Sequence, residues 1–235
     1  MLTSTAIIIP CLNERSRFPG FARALARDCP GSLIIGVDDG STEPLRHEDA
    51  PDAILLAYPH NRGKGAAVRH GWDWVTHHRP EIDWLAFADA DGAVSAAEIR
   101  RLIALAADHP SDMTAASRVA MLGRQVIRNP MRHYIGRVFA TLISLGLDLT
   151  VYDTQCGFKL VRRSAYLAVR EHLHVDGFCF DAELMAHLLD RGFSVREVPV
   201  DWTEQGGSKV RLMRDGWRML REIQTIRRHR HVSAP

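Results

Sequence analysis

Trp84-Leu85-Ala86-Phe87-Ala88-Asp89-Ala90-Asp91-Gly92 is the stretch on which the fold turns. Five apolar residues, short enough for a strand covered on both faces, run directly into two carboxylates and a glycine. In extended backbone residues i and i+2 point the same way, so Asp89 and Asp91 leave the strand able to face one cation. The design recurs upstream. Ala6–Ile9 ends at Pro10-Cys11-Leu12-Asn13-Glu14, Leu33–Val37 at Asp38-Asp39-Gly40-Ser41, and Ala53–Ala57 leads toward Asn61-Arg62-Gly63-Lys64-Gly65. Helical patterns at Arg15–Arg27, Gly65–His77 and Ala96–Ala107 separate the runs, and a fifth strand is expected at Met113–Ala116. This alternation predicts one α/β domain with a mainly parallel central sheet flanked by helices. Such sheets bind ligands beyond the carboxyl ends of their strands, so four polar ends in succession imply a shared pocket.

Ser95 and Glu98 stand in capping-box spacing at the head of the third helix. Further on, Arg132–Leu147 reads as an amphipathic helix, Asp181–Arg191 as a helix, Val195–Val200 as an edge-like strand and Leu212–Arg228 as a final helix. The 235 residues are 46% hydrophobic and 25% charged, enough to bury a full core and far from a disordered composition. A net charge of +2 argues against wholesale binding to nucleic acid, and no stacking platform or nucleic-acid motif is present. Cys11, Cys29, Cys156 and Cys179 are scattered without metal-finger or disulfide spacing, as in a reducing compartment. No run approaches the roughly 20 apolar residues that span a bilayer, so a cytoplasmic protein, in reach of a membrane surface, is expected.

Two carboxylates on a strand end suit Mg²⁺ or Mn²⁺ completed by substrate phosphates. A solvated acidic turn is the plain alternative. A phosphatase of the haloacid-dehalogenase type, with its D-x-D-G-[TV] motif, is another. Against the latter, Ala93 stands where Thr or Val belongs, and three βα units precede the motif. Gly63-Lys64-Gly65 can offer backbone N–H groups and an ammonium to a phosphate, but Gly65 and Val68 exclude a P-loop and a full G-x-G-x-x-G. The twelve histidines form no H-x-x-x-H pair and are read as surface residues.

The order PCLNE, DDGST, NRGKG, DADG, then Ala116-Ser117-Arg118, DTQCGFKLVRR (153–163), GFCFDAEL (177–184) and VPVDWTEQGGSKV (198–210) resembles the family 2 glycosyltransferases of GT-A fold. The dolichyl-phosphate glucosyltransferases are nearest by motif and the mannosyltransferases next. The resemblance covers roughly Ala6 to Arg227. It implies a nucleotide-sugar donor, UDP-glucose above all, with Pro10, Asn13, Glu14 and Asp39 at base and ribose. Asp89, Ala90 and Asp91 would hold the diphosphate and a divalent cation (Mg²⁺ or Mn²⁺), with Lys64 nearby. Arg118, Arg128, Arg132, Ser208 and Lys209 would face the donor and acceptor phosphates, and Asp153 and Asp181 are the candidate acids on the acceptor side. Leu12 replaces an aromatic frequent in the family. The implied division is a donor half (about 1–115), an acceptor half (about 116–210) and a basic tail (about 211–235).

The acceptor implied is a polyprenyl or dolichyl phosphate, whose second ionisation at about pH 6 leaves little need for a general base. Gly207–His231 carries +6 while the remainder is −4. Met213, Trp217, Leu220, Ile223 and Ile226 share a helical face there, and Val138, Phe139, Leu142 and Ile143 form a second stripe beside Arg128, Arg132 and Arg137. Packing on the domain and peripheral contact with a lipid surface are both open to such stripes. A soluble glycan or small-molecule acceptor is the alternative.

Overall fold

The expected strands form as Thr5–Cys11 (β1), Leu33–Asp39 (β2), Ile54–Tyr58 (β3), Trp84–Ala88 (β4) and Met113–Ser117 (β5). The computed structural model describes residues 4–109, 111–127, 140–205 and 212–232. The first helices are Phe18–Asp28 (α1), Lys64–His78 (α2) and Ala96–Asp108 (α3); a helix covering 140–147 (α4) follows. Two short strands, Val126–Ile127 (β6) and Trp202–Thr203 (β9), pair in parallel apart from the main sheet. Arg163–Val169 (α5), Phe180–Asp190 (α6), Val195–Pro199 (β8) and Leu212–Val232 (α7) complete the α/β domain.

The expected list lacks Phe158–Arg162 (β7), which enters the seven-stranded sheet antiparallel between β4 and β5. Its reading as a strand is masked by Lys159, a charged residue in the middle of a short apolar run that is nevertheless wholly buried. The sheet order is β3-β2-β1-β4-β7-β5-β8, so β8 is an edge, as expected.

Alternation along β1 divides the core. Ile7, Ile9 and Cys11 face α1 and α3 with Phe18, Leu25, Ile99 and Leu102, while Ala6 and Ile8 face α2 and α6 with Val68, Trp72, Phe180 and Leu184. Covering both faces is what permits the nearly uninterrupted apolar strands. The capping box is half formed: Ser95 Oγ accepts the Glu98 N–H at 3.2 Å, but the Glu98 carboxylate turns to Arg101 and the Asp201 N–H. His187 corrects the surface reading of the histidines. It is fully buried in α6, and burial depresses its pKa to about 4.

A third apolar cluster joins α4, α6 and α7 through Ile143, Leu147, Ala182, Ala186, Ile223 and Ile226, with Met219 against it. Leu220 departs from the expected inner stripe and is 42% exposed. Leu142, likewise, is exposed while Ile143 is buried. The side chains of Met213 and Trp217, with Val138 and Phe139, lie outside the described residues. The tail helix therefore packs on its own domain along Met219–Ile223–Ile226. Ile226→Ala should cost roughly 2–4 kcal/mol in urea unfolding, whereas Leu220→Ala should stay within about 0.5 kcal/mol. Equal losses for the two would refute this orientation.

Candidate active site

The chain steps outward from β1 to β2 and β3, then returns to place β4 on the other side of β1. That reversal opens a crevice beyond the ends of β1 and β4, the usual ligand position of an open α/β sheet. Its walls are tied together by side chains of the conspicuous loops. Asp39, 3% exposed, accepts the backbone N–H groups of Arg62 and Gly63 at 2.8 and 2.9 Å. Burial raises its carboxyl above the usual range even though these bonds oppose the shift. Asp38 secures Ser41 and Leu45 N–H in the same way. Asn13, at φ 53°, accepts both the N–H and the hydroxyl of Thr42, joining the β1 loop to the β2 loop. Glu14 pairs with Arg17 at 2.6 Å, and Pro10 lies within β1 itself.

Asp89 follows the last residue of β4. Its N–H donates to Gly157 O at 2.9 Å, and Lys64 Nζ, from the first residue of α2, lies 2.9 Å from Asp89 Oδ1. A Cβ at Gly157 would stand 2.5 Å from Asp89 Oδ2, so any other residue there would push this carboxylate from its place. Asp91 is bound back to Ala93 N–H at 3.0 Å. Burial, and then repulsion from Asp89, raise its carboxyl. Lys64 Nζ also lies 3.8 Å from Asp181 Oδ2. Burial alone would lower the Lys64 ammonium, but Asp181 and Asp89 together hold it above its ordinary value. Burial raises Asp181 against the pull of Lys64 and Lys159.

This donor set fits a hard divalent cation. The two acids repel each other, one already bears an ammonium, and substrate phosphates would complete the coordination. Among the described residues no group of three His, Cys, Asp or Glu side chains could hold a metal unaided.

Arg118, just past β5, is bidentate to Asp153: Nε to Oδ2 at 2.7 Å and an outer nitrogen to Oδ1 at 2.8 Å. Its backbone N–H adds a third bond at 2.9 Å, and its guanidinium lies 5.6 Å from the Trp202 ring centre. Glu197 in turn accepts the N–H groups of Tyr152 and Asp153. Burial would raise Asp153, but Arg118 holds its carboxyl down to about 2. Of the residues singled out in the sequence, Lys64, Asp89 and Asp181 form one charged group. Asp91 flanks it, and Arg118 with Asp153 forms a second. Arg128, Arg132, Ser208 and Lys209 lie outside the described residues.

Sequence reading missed Lys159, Glu197 and Glu222. Lys159 signals itself only as a cation inside an apolar strand. Glu222 on α7 accepts the Cys179 N–H at 3.0 Å at the head of α6 and pairs with Arg218 at 2.9 Å. Arg218 lies beside Gly63, whose φ of 118° and contact with Asp176 O leave no room for a side chain.

The family profile "Glycosyl transferase family 2" matches residues 6–169. The chain is 30% identical to the dolichyl-phosphate beta-glucosyltransferase of Saccharomyces cerevisiae, over 94% of this chain and 73% of that protein. It is 32% identical to the polyprenol monophosphomannose synthase of Mycolicibacterium smegmatis, over 88% of this chain and 80% of that one. Among solved structures, glucosyl-3-phosphoglycerate synthase of Mycobacterium tuberculosis, in complex with Mn²⁺, uridine-diphosphate-glucose and phosphoglyceric acid, superposes with a TM-score of 0.71 at 14% identity, covering 97% of this chain and 79% of that one. The chain belongs to glycosyltransferase family 2, and its fold is GT-A. It is a glycosyltransferase.

The depressed Asp153 carboxyl stabilises the fold above the unfolded carboxyl pKa near 4, and this contribution is lost as pH falls toward 2. The pH-dependent part is about 2 kcal/mol. The stability gap between wild type and Asp153→Asn should therefore narrow from pH 5 to pH 2 in denaturant titrations. A gap independent of pH would break the assignment.

Proposed function

We propose that this chain moves glucose from UDP-glucose to the phosphate of a polyprenyl or dolichyl phosphate, with inversion at the anomeric carbon and with Mg²⁺ or Mn²⁺ at Asp89 and Asp91. The observation that carries the donor side is the meeting of Asp89, Asp91 and the Lys64 ammonium at the crevice between β1 and β4. The names borne by the yeast and mycobacterial relatives support the acceptor class, and the yeast name supports glucose.

In this reading residues of about 1–115 hold the donor. Pro10, Asn13, Glu14 and Asp39 line the nucleoside, and Ala90 supplies backbone between the two acids. A bound divalent cation supplies positive charge against the departing diphosphate. Lys64 adds an ammonium beside the same charge. An acceptor phosphate oxygen attacks the anomeric carbon as the bond to the nucleoside diphosphate breaks, and the bonding pair leaves with the diphosphate. The acceptor is already ionised, so Asp153 and Asp181 need not take a proton. Asp153, buried, supports a different task, orienting Arg118, and Asp181 acts on Lys64 only through its charge, at 3.8 Å.

The acceptor half, about 116–210, would offer Arg118, Arg128, Arg132, Ser208 and Lys209 to the lipid phosphate. The basic tail, about 211–235, would lie against the cytoplasmic face of a membrane. Arg218, Arg221, Arg227 and Arg228 are exposed on α7, while Ile223 and Ile226 are turned inward, which supports electrostatic rather than inserted contact. No described helix is long and apolar enough to cross a membrane.

Asp89→Asn and Asp91→Asn should each weaken Mn²⁺-dependent UDP-glucose binding in calorimetry by about tenfold or more while the unliganded proteins melt near wild type; each tenfold step is about 1.4 kcal/mol. Full transfer activity in either variant would remove the cation role. GDP-mannose, run in parallel, tests the sugar and the base. Arg132→Lys should impair transfer to a short-chain polyprenyl phosphate despite its retained charge, because a bidentate arginine–phosphate contact is lost. Undiminished transfer by that variant would favour a soluble acceptor.

A further inference from the structure

Lys159 has no part in the reading above, yet it is a charge wholly enclosed in the interior of the domain. Its side chain is 0% exposed. Nζ donates to Cys156 O at 2.7 Å, within the loop that closes on Asp89, and lies 3.5 Å from Asp181 Oδ2. Asp181 is equally enclosed, and neither of its oxygens makes a hydrogen bond. The carboxylate thus sits between two ammonium groups, Lys159 at 3.5 Å and Lys64 at 3.8 Å, and is bonded closely to neither. Lys64 in turn is drawn to Asp89 at 2.9 Å. Both ammonium groups lie near the face of Phe87, at 4.7 and 5.9 Å from its centre, in surroundings where charges act strongly on one another.

Two positive and two negative groups therefore alternate from the interior to the rim: Lys159, Asp181, Lys64, Asp89. A buried ion that loses its partner is left uncompensated at a high cost, which favours rearrangement toward a neighbouring opposite charge. Without Lys159, the free charge of Asp181 would draw Lys64 inward and strip Asp89 of its ammonium. We propose that Lys159 is a positioning residue: by neutralising Asp181 it leaves Lys64 on Asp89, and so sets how readily the Asp89–Asp91 pair accepts a divalent cation. The second half of this proposal rests on the reading of those two acids as the cation site.

The test is Mn²⁺ binding to the protein saturated with UDP, whose phosphates complete the coordination, followed by calorimetry. Lys159→Met should bind Mn²⁺ about fivefold more tightly, because Asp89 no longer carries a competing ammonium at 2.9 Å. Lys159→Arg, which keeps the charge, should restore the wild-type affinity. The tightening should vanish in a Lys64→Met background, since the effect travels through Lys64. Unchanged affinity in Lys159→Met, or equal tightening with and without Lys64, overturns the proposal, the latter because it reveals only a through-space field.

A metal-free crystal structure of Lys159→Met gives a second, independent reading. Lys64 Nζ should be found hydrogen-bonded to Asp181, and Lys64 still on Asp89 overturns the positioning role even if the wild type binds no Mn²⁺. Absence of Mn²⁺ binding by the wild type would instead defeat the cation reading of the site. Should Lys159→Met fail to fold, the paired variant Lys159→Met/Asp181→Asn replaces it. With no charge at 181 to draw it inward, Lys64 should stay on Asp89, as at 2.9 Å in the parent, and Mn²⁺ affinity should hold at the wild-type value. A tightening of about fivefold in the paired variant overturns the proposal, because Asp181 would then have no part in the effect.

Discussion

Strand β7 runs against its neighbours, and the site depends on that reversal. Its first residue, Phe158, pairs with Ala88, the last residue of β4, so the chain entering β7 must pass over the point where Asp89 leaves the sheet. A parallel strand in the same place would begin at the far edge and bring nothing to the crevice. The bond from Asp89 N–H to Gly157 O fixes the entry, and the lack of a Cβ at 157 leaves the carboxylate room beside that loop. The same entry carries Asp153 to Arg118 at the end of β5. One change of strand direction thus joins the charged groups at the ends of β4 and β5.

The parallel part of this design is legible in the sequence because its signals are local. Trp84–Ala88 matches the observed strand residue for residue, and side-chain bonds join the polar ends in sequence: Asn13 after β1 to Thr42 after β2, and Asp39 at the end of β2 to Arg62 and Gly63 after β3. Phe158–Arg162 escapes because the pattern that marks a buried strand presumes apolar residues, and Lys159 is tolerated only through partners supplied by Cys156 and Asp181. Those partners come from a loop and a helix, and no local periodicity records them. Arg118 shows the same limit. The family resemblance singles it out, but its commitment to Asp153, 35 residues on, follows from the fold alone.

Composition is a weaker guide still on the tail. The +6 charge and the apolar stripe describe a helix with two faces without saying which face turns inward. Ile223 and Ile226 go to the core with Met219, one step round from the Leu220 that pattern reading placed among them. Packing selected the face that α4 and α6 could cover, and Arg218, Arg221, Arg227 and Arg228 were left outside as a consequence.

The bond from Glu222 to the head of α6 gives that helix a significance of its own. Cys179, whose N–H it receives, lies two residues from Asp181, and Arg218, its ion partner, stands beside the loop that Asp39 fastens. A strap laid across both would transmit tension in either direction. Shortening or mispairing α7 would slacken the seat of Asp181 and the Gly63 turn together, so the last helix and these two loops are free to diverge in sequence only in step.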